Sequence, residues 1–313
     1  MKFKLLFLAF VFTLSACNIK TDNPISKPNQ YITILGIAQD GGFPHIGCQK
    51  VCCKNYYNGI FKKKNVVSLG LVDLQNIQKW IFEATPDVST QLADLEQNHL
   101  KKENIIDGVF LTHAHIGHYT GLMYFGKEAL GKQGTKVYAM PKMKSFIKNN
   151  GPWSQLVDLN NIQINNLQND STIVLNNKLK VTPFLVPHRD EFSETVGYKI
   201  SGSKKTALFI PDIDKWHKWK FSIIEEVKKV DYAFLDATFL NQKEVKRAMT
   251  EVPHPFIEET TALFKNESIQ TKNKVIFIHF NHTNPVLQEN SIEKKQLEKL
   301  GFKVAIEGTN YEL

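Results

Sequence analysis

One segment constrains this chain more than any other: Leu111-Thr-His-Ala-His-Ile-Gly-His-Tyr-Thr-Gly121. It follows the apolar, strand-like run Asp107–Thr112 and precedes a helical pattern over Thr120–Leu130. The end of a strand places His113 and His115 on the same side of the chain. The turn that follows brings His118 round to the same space. Three imidazoles converging on one point are what a first-row transition metal needs. A merely solvated histidine-rich loop has no need of an apolar strand, which anchors this one at a sheet's C-terminal edge, a common ligand site.

The rest of the chain supplies such sheets. β-rich runs occur at Tyr31–Ala38, Lys79–Ala84, Asp107–Thr112, Lys136–Met140, Leu179–Val186, Thr195–Ile200, Thr206–Ile210, Asp231–Leu235 and Lys274–Phe280. Besides Thr120–Leu130, helical patterns fit Pro141–Asn149, Ser222–Lys229, Pro255–Phe264 and Ile292–Leu300. This alternation predicts an α/β fold with two covered sheets or one long one. At 313 residues and 42% hydrophobic content, the chain has ample material for one large core. Further polar residues close strand-like runs: His188, Asp212, Asp236 and His279. Singly, each has a plain alternative as a packing histidine or a helix N-cap. Their shared position at strand ends sets them apart.

The N-terminus reads differently. Lys2 and Lys4 precede the apolar stretch Leu5–Ala16, which is shorter than the roughly 20 residues that span a bilayer. Residues 1–16 read as a signal peptide, and Leu14-Ser-Ala-Cys17 resembles the bacterial lipobox. The resemblance implies lipidation of Cys17, a membrane anchor through that lipid, and a place in the bacterial cell envelope, on the outer membrane facing the periplasm. Residues 18–30 are polar with two prolines, a tether reaching about 20 Å. One domain is then expected over 31–313. Loss of Lys2 and Lys4 lowers the net charge from +8 to +6. The remaining lysine clusters are scattered, so no nucleic-acid partner is expected.

Cys48, Cys52 and Cys53 follow the glycine-rich turn Asp40-Gly-Gly-Phe-Pro44. Thiolates this close suit tetrahedral zinc, with Zn–S bonds of about 2.3 Å. His282 or His45 would supply the fourth ligand. The alternative is one disulfide and a spare thiol, as an oxidising compartment favours. A Cys52–Cys53 bridge would be strained.

The HxHxxH segment, His188, Asp212 and His279 together resemble the metallo-β-lactamase superfamily. Leu35-Gly36, Gly41-Gly-Phe-Pro44, Ala84-Thr-Pro-Asp-Val88, Leu235-Asp-Ala-Thr-Phe239 and His279-Phe-Asn-His-Thr-Asn-Pro285 resemble its pyrroloquinoline quinone biosynthesis protein B group. The resemblance implies an αββα sandwich with metals at one edge of its sheets. By position, His113, His115 and His188 would hold a first metal, His118 and His279 a second, and Asp212 would bridge them. Gly117 departs from the pattern, because the superfamily usually places a ligating aspartate there. A single metal, a weak second one, or a substitute carboxylate (Asp40, Asp190 or Asp236) all remain open. The reading favoured is one firmly held metal with a partial second site, whose occupancy an aspartate restored at 117 should raise. His254, in Val252-Pro-His-Pro-Phe256, resembles a Gly-His-Leu-Pro-like segment of that group and would face the substrate, with a plain surface loop as the alternative. His45, His99 and His217 carry no such context.

The chemistry expected is that of a metal-dependent hydrolase. Zinc lowers the pKa of its water from about 15.7 to about 7, giving a metal-bound hydroxide at neutral pH. Asp212 would orient it, and His279 or His254 would donate to the leaving group. The substrate would be a small molecule or peptide with an ester, amide or phosphodiester-type bond. One or two zinc ions are expected in the active site and one in the cysteine cluster, with iron or manganese as alternatives. A non-haem iron oxidative enzyme and a non-catalytic metal-holding lipoprotein are the competing readings. The sequence does not set the oligomeric state.

Overall fold

The computed structural model describes residues 28–245, 248–288 and 290–313. Cys17, the expected signal segment and most of the expected tether lie outside the described residues. Strand pairing already includes Gln30, which pairs with Asp73 and whose Nε2 donates to Asp73 Oδ2 at 2.8 Å.

Among the described residues the strands form two seven-stranded sheets. The first contains β1 (Gln30–Gly36), β2 (Ser68–Asp73), β3 (Gln78–Phe82), β4 (Gly108–Phe110), β5 (Thr135–Ala139) and β6 (Ile162–Asn166). The second contains β7 (Ile173–Val174), β8 (Lys180–Leu185), β9 (Val196–Ser201), β10 (Thr206–Ile210), β11 (Tyr232–Asp236), β12 (Val275–Ile278) and β13 (Lys303–Val304). The last strand, β14 (Asn310–Glu312), returns to the first sheet beside β1. The expected α/β sandwich is therefore observed, with two sheets rather than one.

Alternation along the strands explains the layers. Ile32, Ile34, Trp80, Phe82 and Phe110 enter the core shared with the second sheet. Their neighbours Tyr31, Leu35, Ile81 and Val109 enter a second core on the opposite face, as a two-residue period requires. Helices cover that outer face: Val88 and Leu92 from α2 (Val88–Asp94), Met143 and Ile147 from α4 (Pro141–Asn149), and Leu156 from α5 (Trp153–Asp158) pack there. Ile223 and Val227 of α6 (Ile223–Lys228), Ile257 of α7 (Ile257–Leu263) and Leu297 of α9 (Ile292–Lys299) pack on the second sheet's side. Between the sheets Phe110 stacks on Phe82 at 4.9 Å and on Tyr138 at 4.3 Å. Truncating that ring to alanine should cost about 3–5 kcal/mol.

Strand direction sets the functional edge. β3, β4, β5 and β6 run parallel, and β1 shares their direction because β2 is antiparallel to both β1 and β3. In the second sheet β10, β11 and β12 are parallel, and β8 shares their direction through antiparallel β9. All these strands end at one edge. There the sheets meet: Ala38 bridges Phe280, and Gln39 N donates to Phe280 O at 2.8 Å.

Two local expectations need correction. The helical pattern at 120–130 becomes a short 3₁₀ turn, Thr120–Phe125. Gly121 sits where a Cβ would meet Thr85 O at 2.0 Å, so this turn is pressed against the chain after β3. The strand expected to reach Ala84 ends at Phe82, because Glu83 turns with φ +78°.

Candidate metal centre

The histidine segment leaves β4 and turns across the edge. His113 comes first, with Thr112 Oγ1 2.9 Å from its Nδ1. This contact fixes the ring and leaves Nε2 pointing onward. His115 precedes α3 (Ile116–Tyr119), on which His118 sits, and His118 N donates to His115 O at 2.9 Å. His113 Nε2 and His115 Nδ1 come within 2.7 Å of each other.

Asp212, which follows β10, stands at the centre. Its Oδ1 lies 3.3 Å from His188 Nε2 and 3.1 Å from His254 Nδ1. Its Oδ2 lies 3.4 Å from His113 Nε2, 3.9 Å from His115 Nδ1, 3.8 Å from His118 Nε2 and 3.9 Å from His279 Nε2. Six histidines from four stretches of chain thus surround one carboxylate that is 2% exposed. His113, His115, His188 and Asp212 form one set whose ligand atoms all lie within 4.8 Å of one another. Asp40, His118 and His279 form another.

Anchors hold these side chains from behind. Glu83 Oε1 lies 3.3 Å from His118 Nδ1, and both side chains are fully buried. Thr238 Oγ1 lies 2.8 Å from His279 Nδ1 and donates to Asp236 Oδ1 at 2.7 Å. Glu191 Oε2, on the solvent side, lies 3.1 Å from His115 Nε2. Contacts of this kind fix which ring nitrogen is offered to a metal. His279 has φ +67° and Glu83 φ +78°. Non-glycine residues in this region are strained, and such strain clusters at functional sites.

Electrostatics follow from burial and crowding. Burial holds His113 well below the usual imidazole range and pushes His188 down to about 4. Neutral imidazole is the form that metals bind. Burial opposes charge on Asp212, but His188, His254 and His279 hold its carboxyl well below the usual range. Burial likewise opposes charge on His254, but Asp212 and Asp236 outweigh it and raise the imidazole to about 10.

The donor set fits metal ions by a direct test. Asp40 Oδ1, His118 Nε2, His188 Nε2, Asp212 Oδ1 and His279 Nε2 are buried without a hydrogen-bond partner. Buried polar atoms are ordinarily satisfied. Here the orphans converge, and they are the atom types that zinc takes.

The three substitute carboxylates lie in different places. Asp40 joins His118 and His279, with Oδ1 3.2 Å from His118 Nε2. Asp236 is buried and forms a further set of close ligand atoms with Asp212, His254 and His279, with Oδ2 2.9 Å from His254 Nδ1 and Oδ1 3.7 Å from His279 Nδ1. Asp190 is exposed and accepts from Thr195 Oγ1 at 2.8 Å, outside every cluster of ligand atoms described above. His254 is 5% exposed, which removes the surface-loop alternative. His99 contacts Tyr31 Oη at 3.1 Å, and His217 is exposed.

A second cluster lies beside α1 (Val51–Tyr57). The ligand atoms of Cys48, Cys53 and His282 fall within 4.8 Å of one another, and the Sγ atoms of Cys52 and Cys53 are 4.0 Å apart. All three thiols are unpaired, so the disulfide alternative is not realised in this structure. His45 instead stacks on His282 at 4.3 Å between ring centroids.

Sequence reasoning passed over Glu83 and Thr238. Thr238 lies inside Leu235-Asp-Ala-Thr-Phe239 but closes no apolar run. Glu83 had one signal, an acidic residue directly after the apolar run Lys79–Phe82.

Fold and site together define an αββα protein with a histidine–carboxylate metal-binding edge. The chain belongs to the beta-lactamase superfamily domain family, whose model matches residues 79–280. It is similar to coenzyme PQQ synthesis protein B of Acinetobacter baylyi, 24% identical over 301 residues that cover 88% of this chain and 98% of that protein. Zn(2+)-bound PqqB from Methylobacterium extorquens superposes with a TM-score of 0.73 at 23% identity, covering 90% of this chain and 100% of that one. A diphosphatase from the PhnP family superposes at 0.65 with 20% identity, covering 91% and 97%. At these identities the two structures establish the shared fold.

Proposed function

We propose that this chain is a metal-dependent hydrolase acting on an ester, amide or phosphodiester-type bond. The observation that carries this reading is Asp212, buried and ringed by six histidine nitrogens at 3.1 to 3.9 Å. His113, His115, His188 and Asp212 would hold a first divalent cation, and His118, His279 and Asp212 would contribute to a second. When bound, such ions supply Lewis acidity and lower the pKa of water toward 7. Zinc is favoured by the donor chemistry and by the zinc in the M. extorquens fold relative. A fold neighbour described as a diphosphatase favours hydrolysis over oxidative chemistry.

The chain's own groups do the rest. Asp212 orients the attacking water through a carboxylate held ionised by its histidines. His254 shares Nδ1 with Asp212 and Asp236 and retains a proton at Nε2 for the leaving group. Glu83 and Thr238 keep His118 and His279 in fixed ring orientations. A cysteine cluster of Cys48, Cys52, Cys53 and His282 would hold a separate zinc that braces α1.

Elemental analysis and turnover together test this reading. Purified protein should hold transition metal and hydrolyse members of a p-nitrophenyl ester and bis(p-nitrophenyl) phosphate panel. His113→Ala should lose metal and at least about a hundredfold in kcat. Metal-free protein after metal-replete expression would overturn the reading.

A further inference from the structure

The superfamily pattern leaves the second site short of a carboxylate, because residue 117 is glycine. The structure shows what fills that space. A Cβ built on Gly117 would lie 2.3 Å from Asp40 Oδ1 and 2.5 Å from Asp40 Cα. Real Cβ contacts are essentially never that close. Gly117 is not there for backbone freedom, since it lies within helix α3 and is not among the positive-φ glycines. It is there because another residue occupies its side-chain space.

That residue is placed by the meeting of the sheets. Beyond β1, Gln39 N donates to Phe280 O and Phe280 N donates to Ile37 O, both at 2.8 Å. These bonds lay the chain before Asp40 alongside the chain after His279. A turn then closes with Gly42 N on Gln39 O at 2.7 Å, and Gly42 takes φ +67°. The result aims Asp40 Oδ1 at His118 Nε2, 3.2 Å away. Asp40 Oδ1, His118 Nε2 and His279 Nε2 are all buried without a hydrogen-bond partner. Asp212 Oδ2 lies 3.8 Å from His118 Nε2 and 3.9 Å from His279 Nε2.

We propose that Asp40 is the missing carboxylate ligand of the second metal, delivered from the β1 loop instead of from position 117. The second site is then complete, with Asp40, His118, His279 and the shared Asp212, and the protein holds two ions at this edge. This rests on the metal-centre reading above. It reverses the expectation that aspartate at 117 would raise occupancy: beside Asp40, a side chain there has no room.

The test is a metal count on full-length protein after Zn²⁺ loading and gel filtration, paired with Co²⁺ titration read by absorption. The variants are Asp40→Asn, Gly117→Asp, and Asp40→Gly combined with Gly117→Asp. Wild type should hold two ions at the histidine edge beyond any ion lost in Cys53→Ser. Asp40→Asn, nearly isosteric, should lose one of them or bind it at least tenfold more weakly, while keeping the first and the cysteine-bound ion as evidence of folding. Gly117→Asp alone should not gain metal, and the double variant should recover the second ion. Two ions retained at wild-type affinity in Asp40→Asn would overturn the role of Asp40 while leaving the metal centre standing. A single ion in wild type would also overturn it. No ion at the histidine edge would sink both readings.

Discussion

Glu83 Oε1 lies 3.3 Å from His118 Nδ1, opposite the ring nitrogen that faces Asp40. The pair is completely buried, and Glu83 accepts Thr112 N at its other oxygen, 3.3 Å away. This carboxylate therefore ties the strand end before His113 to the orientation of His118. Glu83→Gln keeps the shape but removes the charge behind the imidazole. It should weaken metal held through His118 by about 10–100-fold, measured by competition with a chromogenic chelator. Unchanged affinity would show Glu83 to be packing alone. Glu83→Ala should in addition lower stability by about 1–3 kcal/mol, because His118 Nδ1 and Thr112 N lose a buried partner.

The contrast between Glu83 and the histidines shows what a sequence reveals. His113, His188, Asp212 and His279 each close an apolar run, so the strand period itself marks where they emerge. Their convergence follows once those strands share a direction. Glu83 and Thr238 work one layer back and touch no metal position, so no ligand spacing marks them. Asp40 could not be chosen over Asp190 and Asp236 from sequence, because the choice rests on the volume left by Gly117. The 120–130 pattern misled for a similar reason. Its apolar spacing is helical, but Gly121 meets the chain after β3 and the turn stops at Phe125.

His254 divides its Nδ1 between Asp212 Oδ1 at 3.1 Å and Asp236 Oδ2 at 2.9 Å. Both are acceptors, so the imidazole donates there, and its other nitrogen can carry a second proton. His254→Asn should keep metal content near wild type and lower kcat by about 10²–10⁴-fold, the range of general-acid catalysis. Loss of metal in proportion to activity would make His254 a ligand instead.

Cys53 is fully buried beside His45, whose backbone N contacts its Sγ at 3.4 Å. With Cys48 and His282 it forms a set of three close donors, and Cys52, its Sγ 4.0 Å from that of Cys53, would supply the fourth of a closed structural zinc site. Cys53→Ser should release one zinc while leaving the histidine edge loaded. Losing a ligand present at a hundred times its Kd costs about 2.7 kcal/mol, which at about 2–4 °C per kcal/mol corresponds to roughly 5–10 °C in Tm. Calorimetry with parallel metal analysis reads both. A retained zinc with unchanged Tm would remove this cluster from the metal sites.

Glu307 supplies a pH dependence remote from the metals. Burial pushes its carboxyl up to about 7, against the pull of Asn65 N, which it accepts at 2.7 Å, and of Lys64 and Lys63, while Asp87 pushes it further up. Its folded pKa thus exceeds the ordinary value of 4.5. The folded chain then binds more protons than the unfolded one between about pH 4.5 and 7, so this group's contribution to stability falls as pH rises through that window. Glu307→Gln cannot ionise and should lack that fall. The stability of the variant relative to wild type should therefore increase by about 1 kcal/mol or more from pH 5 to pH 8, measured by urea midpoints at each pH. Glu244, also raised to about 7 by burial, titrates in both proteins and cancels from the difference. A difference independent of pH would show that Glu307 ionises alike in the folded and unfolded chains.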